Sequence, residues 1–151
     1  MRKSQRGSRG AELSPRLVVI VDALPLRPGL RVLEIGCGSG AAARAVAKRI
    51  GDGHVLSIDR SAKAIAQARA GSKGEIASGR LSFRHVAVED FELAKDEKPY
   101  DLAFAVRVGA LDGRHPEAGR VARRRIRDGL VKGGRLFIDG GDPLREVSLD
   151  E

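Results

Sequence analysis

The sequence is poor in aromatic residues and in sulfur: its 151 residues include no tryptophan, one tyrosine, four phenylalanines and one cysteine. A single cysteine excludes an internal disulfide framework. The scarcity of aromatic side chains does not favour a stacking surface for single-stranded nucleic acid. No apolar run reaches the roughly 18 residues of a membrane-spanning helix, and the N-terminus lacks the apolar core of a signal peptide. We therefore expect no membrane association and a cytoplasmic protein.

Basic residues outnumber acidic ones by 28 to 20, which gives a formal net charge of +8. Such an excess is one mark of binding to nucleic-acid phosphates. A composition rich in arginine, alanine and glycine produces the same excess without that role, so nucleic acid is not the favoured partner. Residues 1–10 have the composition of a disordered basic tail, and residues 11–151 have the length of a single domain.

Strand and helix patterns alternate along the chain. Apolar strands are predicted at residues 31–35, 54–58, 81–88, 100–106 and 135–138. Helices are predicted from Ser14-Pro15, over 40–50, from Ser61 to about residue 70, and over 116–130, with a loop at 71–79. This alternation predicts an α/β fold: a doubly wound, Rossmann-like, mostly parallel sheet of about five strands with helices on both faces. No clear element is predicted over residues 139–151.

Three glycines, Gly36, Gly38 and Gly40, follow the first strand at every second position. Without Cβ atoms they allow a sharp turn and a close approach of the backbone to a ligand. The following helix adds free amide groups and a positive dipole end. Together with Ala41, the spacing also satisfies the dinucleotide fingerprint, so the glycines alone leave a nicotinamide-dependent oxidoreductase open.

Two carboxylates narrow the choice of ligand. Glu34 lies two residues before Gly36, where its charge would repel a pyrophosphate and suit an ammonium group. Asp59 ends the second strand, where a carboxylate can accept hydrogen bonds from both hydroxyls of a ribose. The expected ligand therefore has a ribose and a cationic end, which describes S-adenosylmethionine.

At residues 26–139 the chain resembles the class I S-adenosylmethionine-dependent methyltransferases, nearest in style to the small-molecule and quinone-biosynthesis branch. Residues 30–40 resemble the glycine motif of that family, Ile58-Asp59 its ribose-binding acid, residues 100–104 its fourth strand, and residues 130–136 its Leu-x-x-Gly-Gly turn into strand five. The resemblance implies methyl transfer from S-adenosylmethionine to a small-molecule acceptor.

The resemblance also implies which residues hold the cofactor. Glu34 would hold the loop or the methionine ammonium, and Asp59 the ribose, with Arg60 near the adenine. The family's acid after strand three is displaced here, so the Val88 amide with Glu89 or Asp90 would meet the adenine edge. The full expected set is Glu34, Gly36, Cys37, Gly38, Gly40, Asp59, Arg60, Val88, Glu89, Asp90, Val106 and Arg107.

No motif identifies a catalytic residue. His115 and Asp112 follow strand four, where an acceptor could approach, and are the candidates; His115 is also placed to cap the following helix. No spacing of histidines, cysteine and carboxylates suggests a metal site. The arginines at 120, 123, 124 and 127 lie on one side of the helix from Pro116 and are interpreted as a solvated face.

The family fold usually continues beyond strand five with a helix and an antiparallel strand pair. The predicted sheet lacks that pair and leaves strand five as an exposed edge, which proteins tend to cover. A homodimer through this edge is therefore expected. Two alternatives remain beside the enzyme: a non-catalytic S-adenosylmethionine-binding subunit or sensor, and an RNA methyltransferase suggested by the charge.

Overall fold

The computed structural model describes residues 13–150, so the predicted tail at 1–10 lies outside the described residues. The described helices are α1 (Pro15–Ala23), α2 (Ala41–Ala47), α3 (Ala62–Ala70), α4 (Lys73–Ala77) and α5 (Pro116–Gly129). The strands are β1 (Arg31–Ile35), β2 (His54–Asp59), β3 (Leu81–His85), β4 (Tyr100–Ala105), β5 (Leu130–Asp139) and β6 (Leu144–Val147). Short 3₁₀ turns cover Val88–Asp90 and Gly109–Leu111.

The six strands form one sheet in the order β3-β2-β1-β4-β5-β6. All neighbouring pairs are parallel except β5–β6, which is antiparallel. The chain moves from β1 outward to β3 and then crosses back to β4, so strand order reverses between β1 and β4. The doubly wound arrangement is confirmed, and its switch point lies at the carboxyl end of β1, where such folds bind ligands.

Side chains alternate along each central strand and build two cores, one on each face of the sheet. In β1, Val32 packs with α1, α2 and α3 on one face. Its neighbour Leu33 packs with α5 on the other face. Both side chains are completely buried, as expected for strands covered by helices on both sides. The prediction of helices on both faces is therefore confirmed.

Two serines begin helices as the sequence predicts. The Ser14 hydroxyl accepts a hydrogen bond from the Leu17 amide at 3.3 Å, and Pro15 occupies the first turn of α1. The Ser61 hydroxyl accepts one from the Ala64 amide at 3.1 Å. Each bond satisfies an amide that a helix leaves unpaired at its start. The Ser61 cap fixes the direction in which α3 leaves the end of β2.

The predicted absence of a C-terminal antiparallel pair is wrong. Strand β6 pairs with β5 over four residues, from Leu136 opposite Val147 to Asp139 opposite Leu144. The edge of β5 is therefore covered by the chain itself. The argument for a homodimer, which depended on an exposed edge at strand five, loses its premise.

Several element boundaries also differ from prediction. The expected loop at 71–79 contains α4. Strand β3 ends at His85 rather than at residue 88, and Val88 begins a 3₁₀ turn instead. Strand β5 begins at Leu130 rather than 135, because a register shift against β4 absorbs the Gly133-Gly134 pair as a bulge, with Gly133 at φ +85°.

Candidate active site

The glycine loop joins β1 to α2 at the switch point of the sheet. Gly36, Gly38 and Gly40 have φ values of +87°, +52° and +88°, which disfavour residues with a Cβ. A Cβ on Gly36 would lie 3.1 Å from the Cγ2 atom of Val108, and one on Gly40 would lie 2.8 Å from Nη1 of Arg44. Conformation and space therefore both favour glycine at Gly36 and Gly40.

The carboxylate of Asp59 ties this loop to the next strand. Its Oδ2 accepts a hydrogen bond from the Cys37 amide at 2.9 Å, and its Oδ1 accepts one from the Ser61 amide at 2.9 Å. Asp59 is half-buried at the end of β2. Each carboxylate oxygen has a second lone pair, so the side chain keeps capacity for a ligand hydroxyl while it holds the loop.

Glu34 is buried beneath the loop, with 4 % of its surface exposed. The hydroxyl of Ser57 on β2 donates a 2.6 Å hydrogen bond to its Oε1. Desolvation by burial raises the pKa of Glu34 to about 8, against the opposing effect of the Ser57 hydrogen bond. The carboxyl is therefore mostly protonated at neutral pH in this state, and an adjacent cation would favour its ionisation.

Cys37 is buried within the loop, and its thiol contacts the Gly38 carbonyl oxygen at 3.4 Å. Burial, and after it the neighbouring charges of Asp59 and Glu34, raise the pKa of this thiol to about 12. Because the thiolate is the nucleophilic form, Cys37 is poorly suited to covalent chemistry. Its place in the site is that of a small loop residue.

Arg44 supports the loop from below and was not predicted from the sequence. Its Nη1 donates to the Ser39 carbonyl oxygen at 3.1 Å and to the Ser72 hydroxyl at 2.8 Å. The residue is buried, with 9 % of its surface exposed. The only signal in the sequence was a lone cation inside an alanine run one turn after Gly40.

Two cavities open on either side of the switch point. The first has a volume of about 430 Å³, and from the predicted set it is lined by Gly36, Asp59, Arg60, Val88, Glu89, Arg107 and His115. The second has a volume of about 350 Å³, and from that set it is lined by Glu34, Gly36, Cys37, Gly38, Asp59, Val106 and Arg107. Four residues line both cavities: Gly36, Asp59, Arg107 and Val108. Gly40, Asp90 and Asp112 line neither.

A three-residue contact joins Arg16 and Arg107, two residues that line the second cavity. Asp139, at the end of β5, accepts a 3.0 Å hydrogen bond from the Arg107 amide and a 2.6 Å ion pair from Arg16 on α1. Although burial raises the pKa of Asp139, these two partners outweigh it and lower that pKa below its ordinary value. Arg16 and Asp139 were not predicted, since 123 residues separate them.

The two catalytic candidates differ in their surroundings. Asp112 accepts hydrogen bonds from the amide and the side chain of Arg114. The hydrogen bond from the Arg114 amide does most to lower the pKa of Asp112. His115 is exposed and lines the first cavity. His115 occupies the N-cap position of α5, as expected, but its side chain makes no capping hydrogen bond.

Within residues 13–150, no group of three His, Cys, Asp or Glu side chains is placed to hold a metal ion. The helices of the same region are all too short or too polar to cross a bilayer.

Comparison with known proteins places this chain in a family. Residues 32–134 match the family described as "Methyltransferase domain". The chain is 34 % identical over 133 residues to the protein-L-isoaspartate O-methyltransferase of Methylorubrum populi, covering 88 % of this chain and 55 % of that protein. It is 33 % identical over 132 residues to the ribosomal protein L11 methyltransferase of Thermus thermophilus, covering 87 % and 46 %.

The fold matches a solved S-adenosylmethionine-dependent methyltransferase from Mesorhizobium loti with a TM-score of 0.61, at 24 % identity over 82 % of this chain and 50 % of that one. The chain spans about half the length of the curated relatives it matches. The family match covers more than half of the chain, including the glycine loop, Asp59 and the strand-five bulge. The chain therefore belongs to the class I S-adenosylmethionine-dependent methyltransferases.

Proposed function

We propose that this protein transfers a methyl group from S-adenosylmethionine to an acceptor at the junction of the two cavities. The observation that carries the proposal is the pair of cavities that meet at Gly36 and Asp59, beneath the carboxyl ends of β1 and β2. A nucleoside and an amino-acid side arm joined through one atom require two adjoining spaces of this kind.

The residues of each cavity suit one half of the cofactor. Asp59, which retains free lone pairs, would accept hydrogen bonds from the ribose hydroxyls. Arg60 and Glu89 line the first cavity together with apolar Ile58 and Val86, a combination that suits a flat base with a polar edge. Glu34 lines the second cavity and would face the methionine ammonium. The first cavity would therefore hold adenosine and the second the methionine moiety.

The bound cofactor would supply an already activated methyl group on a sulfonium. The chain's own contribution is then alignment and exclusion of water rather than bond activation. The glycine loop holds its shape through Asp59 and Arg44 before any ligand arrives. Val106 lines the second cavity and Val108 lines both, and their apolar side chains would help to exclude water.

For the acceptor we propose a small molecule, as the motif resemblance implies, that enters through the open side of the first cavity. A protein side chain is the second candidate. It is favoured by the names of two relatives, which refer to isoaspartate in proteins and to ribosomal protein L11. A cytoplasmic location remains a prediction.

Transfer of tritiated methyl groups tests the proposal directly. The wild-type protein is incubated with labelled S-adenosylmethionine and with two acceptor sets, a metabolite panel and a panel of short peptides. The proposal expects label in at least one acceptor and none with Asp59→Ala. Asp52→Ala, which changes an exposed carboxylate in the turn before β2, is the matched control and should transfer normally. Cofactor binding without transfer to either panel would instead support a non-catalytic subunit.

A further inference from the structure

Arg107 occupies the point where the two cavities meet. Of the basic residues that line the cavities, Arg60 and His115 line the first and Arg16 lines the second, whereas Arg107 lines both. A group that touches both cavities lies beside the sulfur and the methyl group if the cofactor is held as proposed above. The positive charge of Arg107 would therefore interact electrostatically with the reacting atoms.

The backbone holds Arg107 in an uncommon conformation. Its φ is +60°, a left-handed value that non-glycine residues seldom adopt. The Arg107 amide donates a 3.0 Å hydrogen bond to Asp139, which is itself anchored to Arg16. Such strain persists where the surroundings enforce it and is concentrated at functional sites. The fold thus enforces the turn that places Arg107 at the junction.

The Arg107 guanidinium makes no ion pair with any residue of the described range, and its side chain is exposed. Two nearby carboxylates already have partners: Asp139 binds Arg16 and the Arg107 amide, and Asp59 binds the Cys37 and Ser61 amides. A guanidinium beside a sulfonium opposes binding of the cofactor, because like charges repel. An anion brought by another ligand would remove that repulsion.

The four residues that line both cavities include no histidine, and their one carboxylate, Asp59, already accepts hydrogen bonds from the Cys37 and Ser61 amides. Glu34 is buried and accepts a hydrogen bond from the Ser57 hydroxyl. His115 and Glu89 line only the first cavity. A neutral nucleophile such as an alcohol or an amide must lose a proton during methyl transfer, whereas an ionised carboxylate need not. A junction with a cation and no histidine suits an acceptor that arrives as an anion.

We propose that Arg107 binds the carboxylate of the acceptor and that this carboxylate is the group methylated. The proposal rests on the proposed function. A carboxylate oxygen forms the new bond to the methyl carbon while the carbon–sulfur bond breaks, and its electron pair remains on sulfur. The carboxylate becomes a neutral methyl ester, the sulfonium becomes a neutral thioether, and no proton is transferred. The planar fork of arginine matches the two oxygens of the acceptor.

Methyl esters release methanol in base, which gives a test specific to this chemistry. The probes are a hexapeptide with one isoaspartyl residue, its aspartyl and asparaginyl counterparts, and simple aliphatic and aromatic carboxylates paired with their carboxamides. Each is incubated with wild-type protein and tritiated S-adenosylmethionine, and volatile label is counted after alkaline treatment. We expect label from at least one carboxylate and none from its amide.

Variants of Arg107 test whether its positive charge binds the carboxylate of the acceptor. Arg107→Met should raise the KM for the carboxylate about 10- to 100-fold, the usual effect of losing a charged hydrogen bond, and Arg107→Lys should recover part of it. Arg135→Met removes an arginine that pairs with Glu146 on β6 and should change nothing in transfer. Affinity for S-adenosylhomocysteine, measured by calorimetry, should stay within about twofold in Arg107→Met, because the acceptor rather than the cofactor supplies the carboxylate.

The outcomes separate this proposal from the one on which it rests. Failure of wild-type protein to bind S-adenosylhomocysteine removes the proposed function itself. Binding without volatile label from any carboxylate overturns the carboxylate acceptor, as does label on any of these probes that is stable to base. A loss of S-adenosylhomocysteine affinity above tenfold in Arg107→Met assigns the guanidinium to the methionine carboxylate and also overturns the proposal.

Discussion

The Asp59 carboxylate accepts a 2.9 Å hydrogen bond from the backbone amide of Cys37. The acid predicted to bind a ribose at the end of β2 therefore also fixes the loop predicted to surround the cofactor. A second bond from the Ser61 amide extends the contact to the start of α3. Three elements that meet at the switch point of the sheet thus depend on one side chain.

Asp59→Ala should consequently lose stability as well as affinity. The Cys37 and Ser61 amides lose their acceptor, and we expect a decrease of about 1–3 kcal/mol in the free energy of unfolding. Asp59→Asn keeps an acceptor oxygen and should lose less. Urea denaturation of both variants measures the difference. Equal stability of wild type and Asp59→Ala would show that the loop does not need this contact.

Glu34 should make the stability of the ligand-free protein fall as pH rises. Its pKa is about 8 in the folded protein, raised by burial from 4.5. Between these two pKa values the folded state keeps a proton that the unfolded state has lost. The contribution of Glu34 to the free energy of unfolding is therefore complete below pH 4.5 and is lost as pH rises through about 8. The slope from this one group is at most about 1.4 kcal/mol per pH unit.

Glu34→Gln removes this titration and retains an acceptor for the Ser57 hydroxyl. Denaturation of both proteins at intervals from pH 5 to 8.5 gives the comparison. The variant should show a flatter profile and gain on the wild type as pH rises. Parallel profiles would contradict the protonated state assigned to Glu34.

Arg44→Met should destabilise the glycine loop. The change leaves the buried Ser72 hydroxyl and the Ser39 carbonyl oxygen without the donor they now share. We expect a loss of about 1–3 kcal/mol, the usual range when a buried polar group loses its partner. The loss of stability in Arg44→Met should also make hydrogen exchange of the loop amides faster than in the wild type. Arg80→Met, which changes an arginine before β3, is the control and should leave loop exchange unaltered.

Asp139→Asn should act on the site more than on overall stability. The Arg16–Asp139 pair is partly exposed, at 46 % and 20 % of the two side chains, and such pairs contribute about 0–1 kcal/mol. The same change weakens the acceptor for the Arg107 amide and removes the ion pair that holds Arg16 against the end of β5. We therefore expect reduced affinity for S-adenosylhomocysteine with little change in melting temperature. Asp22→Asn, which breaks the surface ion pair with Arg49, is the control. It should change neither the affinity for S-adenosylhomocysteine nor the melting temperature.

The central part of the fold was predictable because local signals agreed with one another. Strand β1 is a continuous apolar run before glycines, and Ser14 and Ser61 mark helix starts with residues that cap them. Strand β6 was missed because its four residues, Leu144–Val147, alternate weakly and lie at the sheet edge, where neither face is deeply buried. The Gly133-Gly134 pair indicated a turn, although the longer β5 absorbs it as a bulge.

The sequence predicted only those site residues whose position near the end of a strand brings them to the ligand-binding edge of the sheet. Glu34 and Asp59 were identified because strands place their last residues at one edge of the sheet. The Arg16–Asp139 contact joins residues from opposite ends of the chain, and no local pattern reports such a pairing. In the sequence, Arg44 has the pattern of a surface residue on an alanine-rich helix. In the structure it is buried and donates a hydrogen bond to Ser72.

Calorimetric titration with S-adenosylhomocysteine, with NADH as the comparison, tests the central claim that the two cavities form an S-adenosylmethionine site. The account predicts binding of S-adenosylhomocysteine, at least a roughly tenfold loss of affinity in Asp59→Ala, unchanged affinity in Asp52→Ala, and no binding of NADH. Absence of S-adenosylhomocysteine binding, or equal affinity in wild type and Asp59→Ala, would contradict it.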